Sequence, residues 1–296
     1  MIFAPPFSRV IEHLDRRVLG GFQFVDAVTH LPVVLAARIE VREATLIGGG
    51  APVEVSCPEN AFRIQQNRSG IHAILRAPFF DDYASSFEDP QNPLAAGTQL
   101  RLRLAAAEVG PAYLPQEFVF DLPRTLDRAV TGNVFQPVMV ELFRSPAAPV
   151  VGTWAVLRIR VERAGTQEGL PGVLVRVFAS PRANNDLPIG SGMSEWRGGL
   201  AGEALVAVAD LPRFRPASGP GNNVFTTTQP VELEATRDSG FTGLEGESPN
   251  AANLIAGTAP LVRRRSDGAA PRLGADPATP LELTAGSEIS VRLTMP

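Results

Sequence analysis

The three histidines are the first residues to test for metal or acid–base chemistry. They are His13, His30 and His72, in a chain of 296 residues. A zinc site needs ligands paired as His-x-His or His-x-x-x-His, and neither spacing occurs. Cys57 is the single cysteine, so the chain can form neither an internal disulfide nor a thiolate zinc site by itself. We therefore expect no metal site and no cofactor, and we expect the histidines to be structural or solvent-facing.

The segment around Ser194 is the nearest approach to a nucleophile motif. Its letters, Gly-Met-Ser-Glu-Trp over 192–196, begin like the Gly-x-Ser-x-Gly elbow but end in tryptophan. Tryptophan cannot make the tight turn that the final glycine permits. All 27 basic residues are arginine, so no lysine can form a Schiff base or an isopeptide bond. These residues supply no catalytic set, and the sequence predicts a non-enzymatic protein.

The loop over residues 78–90 combines acidic and aromatic side chains between two prolines. Its acidic residues could offer oxygen ligands to calcium, but they lack the Asp-x-Asp-x-Asp-Gly spacing, and solvated loop carboxylates are commoner. Exposed aromatic residues are enriched at protein interfaces, whereas buried ones would close the end of a sandwich. Both interpretations stay open for the aromatic residues of this loop. These are Phe79, Phe80, Tyr83 and Phe87.

Composition and charge exclude several classes of function. A formal charge of −4 gives no basic surface for nucleic acid or for an anionic membrane. No stretch reaches the roughly 18 apolar residues of a membrane-spanning helix. The N-terminal residues lack a basic region ahead of an apolar run, so the sequence predicts no secretory signal. We expect synthesis and assembly in the cytoplasm, and appearance outside the cell would need lysis or release as part of a particle.

Strands dominate the elements that must position these residues. Glycine and proline, at 27 residues each, argue against long helices. Residues 7–19, within an N-terminal segment covering 1–19, have the apolar spacing of one short amphipathic helix. Runs of strand character then fill 20–124 and 138–296, with a linker over 125–137. The sequence thus predicts an all-β chain of two tandem sandwiches.

Two strands of the second predicted sandwich alternate most clearly. Over 155–161 and 173–177, arginine residues alternate with large apolar ones. Because successive side chains of a strand point to opposite faces, one set must face the core and the other solvent. We expect Arg158, Arg160 and Arg176 on the outer faces. The expected core set is Leu157, Ile159, Val161, Val173, Val175 and Val177.

The stretch over 237–280 is rich in small and polar residues and shows no sustained periodicity. Its isolated apolar residues are typical of an extended arm that lays anchors into grooves of another surface. The alternative is an insertion folded back on its own sandwich, which would bury the same residues within the chain. We expect neighbouring subunits to order the arm. The anchors are Phe241, Leu244, Leu254, Ile255 and Leu261.

A basic run follows, Arg263, Arg264 and Arg265, which suits either an acidic partner surface or plain solvation.

Two turns carry a resemblance to a known domain type. Asp-Ala-Val-Thr-His-Leu-Pro-Val over 26–33 resembles the Asp-Ala-x-Thr-Gly-x-Pro-Val turn of carboxypeptidase-regulatory-like and collagen-adhesin B-type domains, with His30 in place of glycine. Gly-Leu-Pro-Gly-Val over 169–173 resembles the corresponding turn of a second copy. In such turns proline fixes φ and glycine takes the left-handed position. The resemblance implies two transthyretin-like, Ig-like β-sandwiches that act as binding or scaffolding modules.

Together these features predict a structural or interaction protein that contacts other subunits of a larger assembly. By analogy, the most concrete candidate is a phage-tail-like contractile injection particle, in which the chain would be an adaptor, cap, decoration or fibre component. The alternative is a carbohydrate- or cell-surface-binding module, in which rings such as Phe79, Phe80 and Tyr83 stack on a glycan. We expect neither nucleic acid binding nor membrane insertion in either case.

Overall fold

The computed structural model describes most of the chain. The described residues are 18–47, 51–58, 60–80, 99–182, 187–209, 211, 228–237, 241, 243, 248–249, 254, 272–273 and 281–295. The helix expected over 7–19 lies outside these ranges, apart from its last two residues. Within the described ranges, no helix is long and apolar enough to cross a membrane.

The described part of the chain is all-β, as the sequence predicts. One short 3-10 helix, Gly198–Leu200, lies among the strands. In chain order the strands are β1 (Gly20–Asp26), β2 (Arg38–Ile47), β3 (Val53–Glu54), β4 (Arg63–Gln66), β5 (Ile71–Arg76), β6 (Gln99–Glu108), β7 (Gln116–Leu122), β8 (Val138–Leu142), β9 (Ala155–Arg163), β10 (Val173–Ala179), β11 (Gly190–Met193), β12 (Glu203–Val208), β13 (Thr228–Arg237), β14 (Arg272–Leu273), β15 (Leu281–Thr284) and β16 (Glu288–Met295).

The first eight strands form two four-stranded sheets around one core. One sheet has the order β4-β5-β1-β8 and the other has the order β3-β2-β6-β7. Buried side chains from both sheets form a single apolar cluster. Phe22 is at its centre, and its ring centroid lies 5.0 Å from that of Phe118 and 5.8 Å from that of Phe120. Burial of each such ring contributes about 1.5–3 kcal/mol, so this cluster holds the two sheets together.

Strand β8 does not join the second set of strands, where we expected the run from Val138. It pairs in parallel with β1, with Phe22 opposite Val138 and Asp26 opposite Leu142. Val140 and Leu142 therefore point into the first core. The periodicity of the run predicts a strand correctly, but it carries no information about the partner, which is distant in sequence.

The remaining strands form a second pair of sheets. Their orders are β12-β9-β16 and β11-β10-β13-β14, and β15 also pairs with β13. The expected apolar residues of β9 and β10 lie in the core between these sheets, each at most 1% exposed. The side chains of Arg158, Arg160 and Arg176 lie on the opposite faces and are 43%, 38% and 20% exposed. The predicted alternation is therefore confirmed.

Both pairs of sheets use the same strand pairings. In the first, β1 pairs antiparallel with β5 and parallel with β8, and β2 pairs with β3 and β6. In the second, β9 pairs antiparallel with β12 and parallel with β16, and β10 pairs with β11 and β13. Strands β8 and β16 therefore occupy equivalent positions, each at one end of its sheet.

Several outward-facing apolar residues of the second pair of sheets are buried too, although alternation alone predicts a wet outer face. Val156, Leu174 and Leu205 are at most 3% exposed. They belong to two further clusters that also contain Ala27 and Val28 from the turn after β1. The two pairs of sheets thus meet at a buried apolar junction.

His72 lies inside the first core. Its ring stacks on Phe22, with the centroids 5.0 Å apart, and the residue is 3% exposed. Neither ring nitrogen has a hydrogen-bond partner among the described residues. Burial lowers the pKa of His72 below its usual value of 6.5, because the charged ring would be costly in this apolar environment. The neutral ring is therefore part of the folded core.

The stability of the protein should carry a pH dependence that comes from His72. Because its pKa is depressed in the folded state, the unfolded chain binds the proton more readily. The contribution of neutral His72 to the free energy of unfolding is therefore complete above about pH 6.5. It is lost as the pH falls through the pKa of His72 in the folded state. Urea unfolding at about pH 7 and pH 5.5 measures this loss. His72→Leu should remove this part of the pH dependence, whereas the exposed-site variant His30→Asn should keep it. An unchanged pH dependence in His72→Leu would contradict the prediction.

Candidate functional site

The structure separates two neighbouring aromatic residues that the sequence groups together. Phe80 is fully buried in the first core, whereas Phe79 is 59% exposed with a φ of 71°. The prediction that Phe80 is an interface residue is therefore wrong, because its ring fills space between the two sheets. For the same reason the ring of Phe80 cannot stack on a glycan. Phe79 stays a candidate, and Tyr83 and Phe87 lie outside the described residues.

Two anchors of the predicted arm are buried within the chain itself. Phe241 is 6% exposed and meets Trp196 edge-to-face at 5.8 Å, and Leu254 is fully buried in the same cluster. The carbonyl of Pro249 accepts a hydrogen bond from the backbone N–H of Glu117 on β7 at 3.1 Å. For these two anchors the folded-back alternative is correct, and burial against another surface is wrong. The remaining predicted contact residues lie outside the described ranges; they are Leu244, Ile255, Leu261, Arg263, Arg264 and Arg265.

The turn after β1 is closed by the buried carboxylate of Asp26. Its Oδ1 accepts hydrogen bonds from the backbone N–H groups of Val28 at 2.8 Å and Thr29 at 3.1 Å. His30 follows with a φ of 54°, at the left-handed position where the turn pattern has glycine. Aspartate commonly organises turns in this way. The turn therefore has the geometry that the motif predicts, despite the histidine.

The other oxygen of Asp26 ties this turn to the junction. Oδ2 accepts a hydrogen bond from the Tyr113 hydroxyl at 2.8 Å and lies 2.7 Å from Nη2 of Arg144. The Arg144 guanidinium in turn lies 4.7 Å from the ring centroid of Trp154, in a cation–π contact. These contacts connect the end of β1, the segment after β8 and the start of β9.

Electrostatics fix the charge states of this cluster. Burial raises the pKa of Asp26, but the hydrogen bonds from Tyr113, Val28 and Thr29 and the charge of Arg144 outweigh it and hold the pKa below its usual value. Burial and the neighbouring carboxylate raise the pKa of Tyr113 to about 12. At neutral pH the cluster therefore holds an ionised Asp26 and a neutral Tyr113.

Ser194 organises the turn that leads into β10, and Glu195 organises the segment that follows β11. The Ser194 hydroxyl is fully buried, donates to the carbonyl of Leu170 at 2.7 Å and accepts from the N–H of Val173 at 2.9 Å. The Glu195 carboxylate accepts two hydrogen bonds at 2.9 Å from the Arg197 guanidinium. Because backbone groups use both the donor and an acceptor site of the hydroxyl, Ser194 braces the turn and is not an activated nucleophile.

A third polar cluster lies on the outer face of β10 and β13. Glu234 is 7% exposed, pairs with Arg176, and lies 2.7 Å from Nη1 of Arg182. The Arg182 guanidinium also lies 3.5 Å from the ring centroid of Phe178. Burial raises the pKa of Glu234, but the two arginines outweigh it and lower the pKa below its usual value. The carboxylate is therefore ionised and forms ion pairs with both arginines.

The described ranges contain no group of three or more His, Cys, Asp or Glu residues arranged to hold a metal ion. Cys57 is a free cysteine of intermediate burial. Burial and the nearby charge of Glu54 raise the pKa of its thiol, which disfavours the reactive thiolate. The acidic residues of the 78–90 loop lie outside the described ranges.

Sequence reasoning missed Tyr113 and Arg144. Asp26 stands at the end of a strand inside a recognisable turn motif, so a cationic partner for a buried carboxylate could have been expected. Choosing Arg144 among 27 arginines, however, requires knowing that β8 lies beside β1.

No family model matches the chain, and no curated protein sequence matches it significantly. Three solved structures illustrate the similarity that a structural comparison finds. The major pilin subunit BcpA of Bacillus cereus is 8% identical, with a TM-score of 0.21 over 95% of this chain and 69% of the pilin. A putative adhesin from Bacteroides ovatus is 10% identical, with a TM-score of 0.18 over 93% of this chain and 85% of that one. The shaft pilin SpaA from Lactobacillus rhamnosus GG is 11% identical, with a TM-score of 0.15 over 93% of this chain and 96% of the pilin. At these TM-scores the functional argument rests on the residues of this chain.

Proposed function

We propose that this protein is a non-enzymatic structural component that contacts other proteins in a larger assembly. In this proposal the chain consists of two tandem transthyretin-like sandwiches, and the first of them ends after β8. The repeated strand pairings and the separate cores support that division. The buried junction would hold the two sandwiches in one relative position, which suits a part that positions other subunits.

The observation that carries the proposal is the conformation of Phe79. A non-glycine residue at positive φ costs of the order of 1–3 kcal/mol and persists only where the surrounding structure imposes it. Here Phe80 anchors the chain in the core and Phe79 projects into solvent, at 59% exposure. Contacts with the described residues leave the ring mostly exposed, so they do little to offset this strain. Burial of the ring against a protein partner would offset the strain of the positive φ, and aromatic residues are common anchors of such interfaces.

The polar groups that could do chemistry are used in maintaining the fold. Asp26 closes a turn and contacts the junction, Ser194 holds a second turn, and Glu234 forms ion pairs with two arginines. Each has its hydrogen-bonding capacity directed at backbone or at a neighbouring side chain. This use of the polar groups supports a structural role over a catalytic one.

The proposed assembly forms in the cytoplasm, and a phage-tail-like contractile injection particle is one form that it could take. Gradient fractionation of a lysate from the native host tests the assembly directly. We expect the protein in fractions far heavier than its own 31.5 kDa. Recovery of the endogenous protein only as a monomer would overturn the proposal.

Phe79→Gly should separate the role of this residue in the assembly from its role in folding. Glycine accepts positive φ without strain, so the free energy of unfolding should change by less than about 1 kcal/mol. The share of the protein in heavy fractions should nevertheless fall several-fold, because the exposed ring is lost. Phe135→Ala, which removes another ring that is 56% exposed, is the matched control and should leave the distribution unchanged. If Phe79→Gly enters the assembly as the natural chain does, Phe79 is not the contact.

A further inference from the structure

The outer edge of β16 presents backbone groups that no described residue pairs with. Its inner edge is fixed by β9: the carbonyl of Ser287 accepts from the N–H of Val156 at 2.8 Å, and the carbonyl of Met295 accepts from the N–H of Ala164 at 2.6 Å. Backbone groups of a strand alternate in direction, so every second residue from Ser287 to Met295 faces β9. The N–H and C=O groups of the intervening residues therefore point outward. No described residue pairs with them. They belong to Glu288, Ser290, Arg292 and Thr294.

The equivalent edge in the first pair of sheets is covered at the C-terminal end of β8 and just beyond it. Just beyond β8, the carbonyl of Phe143 accepts from the N–H of Leu114 at 2.9 Å. The N–H of Ser145 donates to the carbonyl of Ala112 at 3.0 Å. The side-chain amide of Gln116 donates to the carbonyl of Glu141 within β8 itself. In the part of the chain that the structure describes, the outer edge of β16 is thus less covered than that of β8, and an uncovered edge is a ready template for another strand.

The sequence of β16 is complementary to itself. Around Ser290, the order is Glu-Ile-Ser-Val-Arg over 288–292. If a second copy of the strand lies antiparallel with Ser290 opposite Ser290, then Glu288 of each copy lies opposite Arg292 of the other. Opposite charges in directly facing positions stabilise antiparallel pairs, and like charges destabilise them. The same arrangement places the outward backbone groups of both copies in register for hydrogen bonding.

We propose that the outer edge of β16 binds β16 of a second copy of this chain, antiparallel about a two-fold axis at Ser290. The two three-stranded sheets then become one continuous sheet of six strands. Ile289 and Val291, which are only partly buried against the second core, gain apolar neighbours across the axis. This inference rests on the proposed assembly function, because it names one of the subunit contacts.

The ion pairs already present on this face are compatible with the second copy. Glu288 lies 2.7 Å from Nε of Arg158, and Arg292 lies 3.6 Å from Glu162. The side chains of Glu288 and Arg292 are 51% and 67% exposed, so each keeps free hydrogen-bonding groups for a partner across the axis. The Glu288–Arg158 pair is exposed on both sides, so it contributes little to stability. Glu162 is 8% exposed, but it also lies 3.4 Å from Nε of Arg160 and therefore keeps a cationic partner when Arg292 turns to the second copy.

Charge reversal tests the pairing in the full chain. Sedimentation equilibrium of the purified protein should show a monomer–dimer equilibrium. Glu288→Arg or Arg292→Glu alone should raise the dimer dissociation constant about tenfold or more, because each places like charges opposite each other twice. The double variant should restore the natural value. A mixture of the two single variants should form heterodimers in preference to either homodimer, because two arginines of one copy then face two glutamates of the other.

Backbone and cross-linking variants test the register. Ser290→Pro removes an outward N–H at an edge position that tolerates proline, so it should abolish the dimer with little effect on thermal stability. Ser290→Ala keeps the N–H and should dimerise normally. In a Cys57→Ser background, Ser290→Cys should cross-link the two copies under oxidation. Thr294→Cys should not, since the proposed pairing puts the two residues at position 294 roughly 27 Å apart.

Three other outcomes would overturn the proposed β16 dimer. A chain that stays monomeric at all concentrations lacks this contact, although it could still enter heavy fractions through other surfaces, so the assembly function would survive. A dimer that persists in Ser290→Pro forms elsewhere on the molecule. The purified chain could also be monomeric while Ser290→Pro is absent from the heavy fractions of a lysate. In that case the outer edge of β16 binds a strand of a different protein.

Discussion

Asp26→Ala should lower the free energy of unfolding by about 3–5 kcal/mol, the cost of breaking a buried ion pair by removing one partner. The substitution leaves Arg144, whose side chain is 14% exposed, without its carboxylate. It also removes the acceptor of the Tyr113 hydroxyl and of two backbone N–H groups in the turn. Urea unfolding followed by tryptophan fluorescence measures the loss, since Trp154 lies beside Arg144.

Asp121→Ala provides the matched control for this prediction. Asp121 also pairs with an arginine, with its Oδ1 2.8 Å from Nε of Arg101, but the two side chains are 43% and 54% exposed. An exposed pair contributes about 0–1 kcal/mol, so this variant should be nearly as stable as the natural chain. Equal losses in the two variants would mean that the junction cluster contributes no more than a surface ion pair.

Phe241→Ala should also cost about 3–5 kcal/mol in the isolated chain, as is usual for a buried phenylalanine. The ring packs edge-to-face on Trp196 and lies against Gly172, where a Cβ atom would overlap it. Gly172 itself has a φ of 66°, so the turn and the ring together require glycine there. Removing the ring would leave a cavity in the cluster that also holds Leu254.

The control for Phe241 is Phe135→Ala. Phe135 is 56% exposed and contacts Arg128 through a cation–π interaction, so its removal should cost less than about 1 kcal/mol. Both variants are measured as purified monomers, below the concentration at which any dimer forms. If Phe241→Ala unfolds like the natural chain, the residue is held in place by other subunits, as the extended-arm hypothesis states.

Local patterns in the sequence predict the longer strands and the geometry of one turn, but not the glycine-rich strand β11 or the short strand β14. The alternation in β9 and β10 predicts which side chains face the second core, because a strand has a fixed period of two. The turn motif predicts a left-handed residue at position 30, and His30 adopts that conformation although it is not glycine. These features depend on neighbours in the chain, so the sequence suffices to identify them.

Tertiary structure alone decides which strands meet and which polar residues become partners. The run from Val138 is a strand by its own pattern, yet its parallel pairing with β1 follows from the shape of the whole first core. Phe79 and Phe80 are identical in type and adjacent, but the backbone turn sends one into the core and the other into solvent. Asp26 and Arg144 are likewise brought together only when β8 lies beside β1. Such contacts join residues distant in sequence, and their free energies depend on burial that no local pattern specifies.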